Sequence, residues 1–182
     1  MLSRHAKIIS RKWDESQAQA SRGGYGFMSH NTRAVAEILL VEDEDHDIRA
    51  VQRAIKNSKL ANNLQVVRDG EEALAYLYQQ GAYTAATRPD LILLDINMPK
   101  KNGREVLAII KSDPKLKAIP VAVMTSSESE EDIVKSYAMG ANCYIRKPVD
   151  FEGLNRVVAM LETFWFEVVT LIPSSLPKKG QA

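Results

Sequence analysis

The chain predicts a doubly wound parallel α/β sheet of five strands with helices on both faces, and three observations point to it. Five short apolar runs, at residues 38–41, 64–67, 91–94, 121–124 and 143–145, alternate with stretches of helical periodicity. The run at 91–94 (Leu-Ile-Leu-Leu) is unbroken, as suits a strand covered on both faces. Polar residues follow the runs at their carboxyl ends, where open parallel sheets place their functional crevice.

After Ile38-Leu-Leu-Val41 come Glu42-Asp43-Glu44-Asp45, and acids in a first turn favour the helix dipole. Ile48, Val51, Gln52 and Ile55 then recur at helical spacing up to Asn57. The second strand meets the turn signal Asp69-Gly70, and Ala73, Leu74 and Leu77 stripe the second helix. Residues 81–89 read as a loop. The third strand ends on Asp95, Met98-Pro99 imposes an extended or turn conformation, and Gly103 allows a sharp turn into a helix marked by Val106, Leu107, Ile109 and Ile110. The fourth strand closes on Thr125-Ser126-Ser127, and a charged helix over 128–139 ends at Gly140. Beyond the fifth strand, Lys147-Pro148 precedes a helix with Leu154, Val157, Val158 and Leu161 on one face.

Composition bounds the function. A chain of 182 residues holds one ordinary domain plus tails, and its net charge of +1 asks for neither nucleic acid nor a membrane surface as partner. No apolar run is long enough to span a bilayer, and the N-terminus lacks a secretory apolar segment. The single cysteine, Cys143, fits a reducing compartment, so the cytoplasm is expected. Residues 1–34 read as a flexible basic leader, either solvated or preceding a start at Met28; residues 35–162 form the domain; residues 163–182 form an apolar C-terminal extension and polar tail.

With strands ordered 2-1-3-4-5, Glu42, Asp43 and Asp95 crowd together at the switch point. Three like charges there call for a cation or a raised pKa, and Mg²⁺ suits two carboxylates plus waters. A metal among carboxylates prepares one of them to attack phosphorus. The resulting acyl phosphate offers oxygens that an ammonium (Lys147) and a hydroxyl (Thr125) suit.

The set Glu42-Asp43, Asp95 within Asp-Ile-Asn-Met-Pro, Thr125-Ser126 and Tyr144-Ile-Arg-Lys147-Pro148 resembles the flavodoxin-like receiver domain of two-component response regulators, over residues 36–161. The resemblance implies that Asp95 is the phosphoacceptor and that Asp43, Asp95 and the backbone carbonyl of Asn97 ligate Mg²⁺, with Glu42 acting through a metal-bound water. It further implies that Thr125 and Tyr144 switch together, that Lys147 pairs with the phosphoryl group, and that the Lys147-Pro148 bond is cis. Output would pass through the fourth helix, fifth strand and fifth helix. Such a protein is not an enzyme in the ordinary sense: it assists its own phosphorylation and dephosphorylation, and its partner is a sensor histidine kinase.

After Leu161 the remaining stretch is too short for a DNA-binding domain. Phe164, Trp165, Phe166, Val168 and Leu171 form an apolar patch that either folds back on its own domain or serves as a homodimer interface or kinase dock. The Phe-Trp stretch and acidic start resemble the single-domain response regulators paired with cyanobacterial phytochromes. Two alternatives stay open: a phosphate shuttle or sink for a non-phytochrome kinase, and a regulator touching DNA through its basic leader. An FMN site is disfavoured by the acids at 42–45, an aspartyl phosphatase by Asn97, and a P-loop enzyme by the missing glycine-rich motif. His46 as phosphodonor would need a helical-bundle context that the strands oppose.

Overall fold

A computed structural model describes residues 35–57, 61–126 and 129–169. The leader at 1–34, Ser127 and Leu171 lie outside the described residues.

Five strands form one parallel sheet in the order β2-β1-β3-β4-β5: β1 (Ala36–Val41), β2 (Asn62–Val67), β3 (Leu91–Leu94), β4 (Val121–Thr125) and β5 (Cys143–Arg146). Every residue of β3 and β4 is buried, which explains their unbroken apolar sequence. The edge strand β2 instead alternates, and β5 stays half-exposed.

The helices are α1 (Asp45–Lys56), α2 (Gly70–Leu77), α3 (Gly103–Ser112), α4 (Glu130–Ala138) and α5 (Phe151–Glu162). Alternate residues of the sheet serve two cores. Leu39, Val41, Ile92, Leu94 and Val123 meet Ala73 and Tyr76 of α2 and Val106, Leu107 and Ile110 of α3. Ile38, Leu40, Leu91, Leu93 and Met124 meet Ile48, Val51 and Ile55 of α1 and Leu154, Val158 and Leu161 of α5. Each fully buried Leu or Ile stabilises the fold by roughly 1.5–3 kcal/mol. Two stripes differ from the expected ones: Gln52 is exposed while Ala54 is buried, and Tyr76 is the buried aromatic of α2. The loop at 81–89 contains a 3₁₀ turn, Gly81–Tyr83.

Local chemistry fixes the helix ends. Asn102 and Glu105 form a reciprocal capping box at α3, and Asp69 and Asp150 cap α2 and α5 by accepting from Glu72 N (2.8 Å) and Gly153 N (2.6 Å). Gly140 follows α4 at φ +92°, a left-handed position that favours glycine. Gly103 matters for a different reason: a Cβ there would lie 2.0 Å from the Asp95 carbonyl oxygen, so the turn after β3 closes only around hydrogen.

The C-terminal extension continues α5 as a π-helical turn, Thr163–Val168. Trp165 and Phe166 are buried in the α1/α5 core, whereas Phe164 and Val168 face outward. Among the described residues no helix is long and apolar enough to cross a membrane.

Candidate functional site

Parallel pairing carries the key residues to one edge. In the β1–β3 register Val41 lies opposite Leu94, so the next residues, Glu42 and Asp95, emerge abreast. Their backbones are anchored: Glu42 N donates to Val67 O (3.0 Å) and Asp95 N to Val41 O (3.0 Å). Thr125 lies opposite Arg146 in the β4–β5 register, and Lys147 N then donates to Thr125 O at 2.9 Å. All four strand ends therefore open on the same crevice.

One carboxylate oxygen from each of Glu42, Asp43 and Asp95 lies within 4.8 Å of the others. Glu42 is fully buried and Asp95 nearly so. Asp43 Oδ1 is buried and receives no hydrogen bond. An orphaned anionic oxygen beside two further carboxylates is a costly arrangement that a hard divalent cation relieves, so the donor set fits one.

The positive charge present comes from Lys147, 12% exposed. Its Nζ donates to Asp95 Oδ2 and Asp47 Oδ2, both at 2.7 Å, and forms an ion pair at 2.7 Å with Glu42 Oε2 whose alignment falls short of a hydrogen bond. Burial alone would pull this ammonium down, yet Asp47, Asp95 and Glu42 hold it above its ordinary value. Burial pushes the Glu42 carboxyl up to about 7, against the lowering effect of Lys147 and with help from the Asp95 charge. Partial burial would raise Asp47 too, but the hydrogen bond from Lys147 outweighs it and its pKa is lowered.

Asn97 ties the turn together. Its backbone N donates to Asp95 Oδ1 (3.1 Å), and its side-chain Nδ2 donates to Thr125 Oγ1 (3.3 Å). Thr125 is fully buried, and Tyr144, on the adjacent strand opposite Val123, is half-buried against the α2/α3 core. Tyr144 N donates to the hydroxyl of Tyr137 on α4 at 3.3 Å.

The structure thus brings together Glu42, Asp43, Asp95, Asn97, Thr125 and Lys147. It differs from expectation in three places. The Lys147-Pro148 bond is trans, since no described peptide bond is cis; the trans form is the intrinsically favoured one, and Lys147 reaches Asp95 without the cis form. Trp165 and Phe166 lie inside the domain, so they are removed from the apolar patch expected of the extension, while Phe164 and Val168 remain on it. Asp47 joins Lys147 without having been singled out, because an acid in a first helical turn is ordinary; its place above the same sheet edge as Lys147 was the available signal.

A model of the response regulator receiver domain matches residues 38–159. The chain belongs to the response regulator receiver family. Among its relatives, Response regulator Rcp1 of Synechocystis sp. is 49% identical over 144 residues, spanning 79% of this chain and 98% of that protein. The Mn(2+)-bound crystal form of Rcp1 superposes with a TM-score of 0.71 at 50% identity, covering 75% of this chain and 99% of that one. The phosphorylated cyanobacterial phytochrome response regulator RcpA superposes with a TM-score of 0.73 at 53% identity, covering 76% and 99%. The protein is a response regulator homologous to this phytochrome-associated group.

Proposed function

We propose that this response regulator accepts a phosphoryl group on Asp95 from a sensor histidine kinase of the phytochrome type and signals through a phosphorylation-dependent protein surface. The observation that carries the reading is the convergence of Glu42, Asp43 and Asp95 within 4.8 Å beside the Lys147 ammonium. Mg²⁺ is the expected cation; Asp43, Asp95 and the Asn97 carbonyl would hold it, and Glu42 would act on it through a water. When bound, it would neutralise charge on the incoming phosphoryl group. Asp95 forms the new O–P bond as the P–N bond of the donor's phosphohistidine breaks; the electron pair stays on that nitrogen, and the imidazole leaves neutral, keeping the proton already on its other ring nitrogen. Lys147 and the Thr125 hydroxyl then meet phosphoryl oxygens. Moving Thr125 changes its hydrogen bond with Asn97 and lets Tyr144 repack against α4, which couples site to surface.

The readable surface comprises α4, β5, α5 and the extension, where Val134, Tyr137, Met160, Phe164 and Val168 are exposed. A second copy of the chain is its proposed partner. The compartment is the cytoplasm, in keeping with the lone Cys143. Incubation with acetyl phosphate or an autophosphorylated phytochrome kinase should label the wild type only with Mg²⁺ and leave Asp95→Asn unlabelled. Wild-type labelling of Asp95→Asn would refute the assignment.

A further inference from the structure

Of the three carboxylates around Lys147, Asp47 alone stands outside the Glu42/Asp43/Asp95 cluster. It projects from the first turn of α1, is one-third exposed, and lines with Lys147 a groove of about 380 Å³ that also meets Arg49, Arg53 and Phe151. Asp47 therefore approaches the ammonium from the groove side, while Asp95 and Glu42 approach from the sheet edge.

We propose that Asp47 is a positioning residue that competes with the phosphoryl group for the Lys147 ammonium and thereby shortens the phosphorylated state. The inference rests on Asp95 being the phosphoacceptor. An ammonium has three N–H donors, and here it stands in three ion pairs of 2.7 Å, to Glu42, Asp47 and Asp95. Charge neutralisation within the acid cluster loosens the hold of Glu42 and Asp95 on Lys147. Asp47 has no such second partner within the cluster, so it keeps its share of the ammonium. A phosphoryl oxygen must then divide Lys147 with a carboxylate, and that carboxylate also repels the added negative charge.

The test uses the full chain in Mg²⁺, with beryllofluoride as phosphoryl mimic and acetyl phosphate as donor. Asp47→Asn, which keeps shape and removes charge, should bind beryllofluoride about three- to tenfold more tightly and lose its label correspondingly more slowly. Asp47→Glu should return both quantities toward wild type. A purely structural role would weaken binding on substitution, so unchanged or weaker binding by Asp47→Asn overturns the proposal. Should Asp47→Asn fail to fold, Asp47→Ser is read in the same way; failure of both to fold also overturns it, since a competitor is dispensable for folding. A wild type that takes neither mimic nor label would instead sink the phosphoacceptor reading itself.

Discussion

Glu42 carries the most informative charge in the site. Its carboxyl is fully buried, and that burial pushes its pKa up to about 7, so in the metal-free protein at neutral pH it holds a proton part of the time. Binding a divalent ion then requires loss of that proton. Affinity for Mg²⁺ should be flat above about pH 7 and fall about tenfold per pH unit below it, a profile that calorimetric titration across pH 5.5–8.5 would reveal (roughly one proton released per ion at the acid end and none at the alkaline end). Lys147→Ala should destabilise the Mg²⁺-free protein by roughly 3 kcal/mol, because Glu42, Asp95 and Asp47 lose their common counter-charge. Denaturant melts with and without Mg²⁺ should show the loss shrinking when the ion is present. Glu42, Asp43, Asp95, Thr125 and Lys147 were legible in the sequence because a parallel sheet brings its strand ends to one edge. Asp47 was not, because periodicity assigns a first-turn acid to the helix dipole and says nothing of what lies above it.

At the scale of elements, α5 and the turn that follows it carry two apolar stripes. Leu154, Val158, Leu161 and Trp165 recur at spacings of four, three and four and are buried; Met160, Phe164 and Val168 recur at spacings of four and are exposed. The sequence displayed both stripes, but an aromatic-rich tail reads as a single patch until the sheet fixes which face turns inward. Trp165→Ala should therefore cost about 3–5 kcal/mol in denaturant unfolding. At the other end of the site, Asn102→Ala removes half of the capping box on α3 and should cost about 1 kcal/mol by the same measurement.

For the whole molecule, the alternation of strands and helices specified a five-stranded parallel sheet covered on both faces, and the observed order β2-β1-β3-β4-β5 is one of the doubly wound orders that such alternation allows. Quaternary structure is a different matter: an exposed stripe marks a sticky face without stating its partner. Phe164→Ser combined with Val168→Ser should preserve the melting temperature yet shift sedimentation toward monomer. An unchanged mass distribution would reject self-association through the extension. The proposed coupling of that face to the site would run from Thr125 on β4 through Tyr144 on the adjacent strand β5 to Tyr137 on α4, whose hydroxyl accepts from Tyr144 N. A bias of about 1–3 kcal/mol between two arrangements of this set suffices for a switch.

Peptide mapping of the labelled protein tests the central claim most directly. After acetyl phosphate treatment in Mg²⁺, the phosphoryl mass should sit on the peptide containing Asp95, vanish on chelation before treatment, and be absent from Asp95→Asn. Label on any other residue, or label at Asp95 that persists undiminished without a divalent ion, would contradict the account.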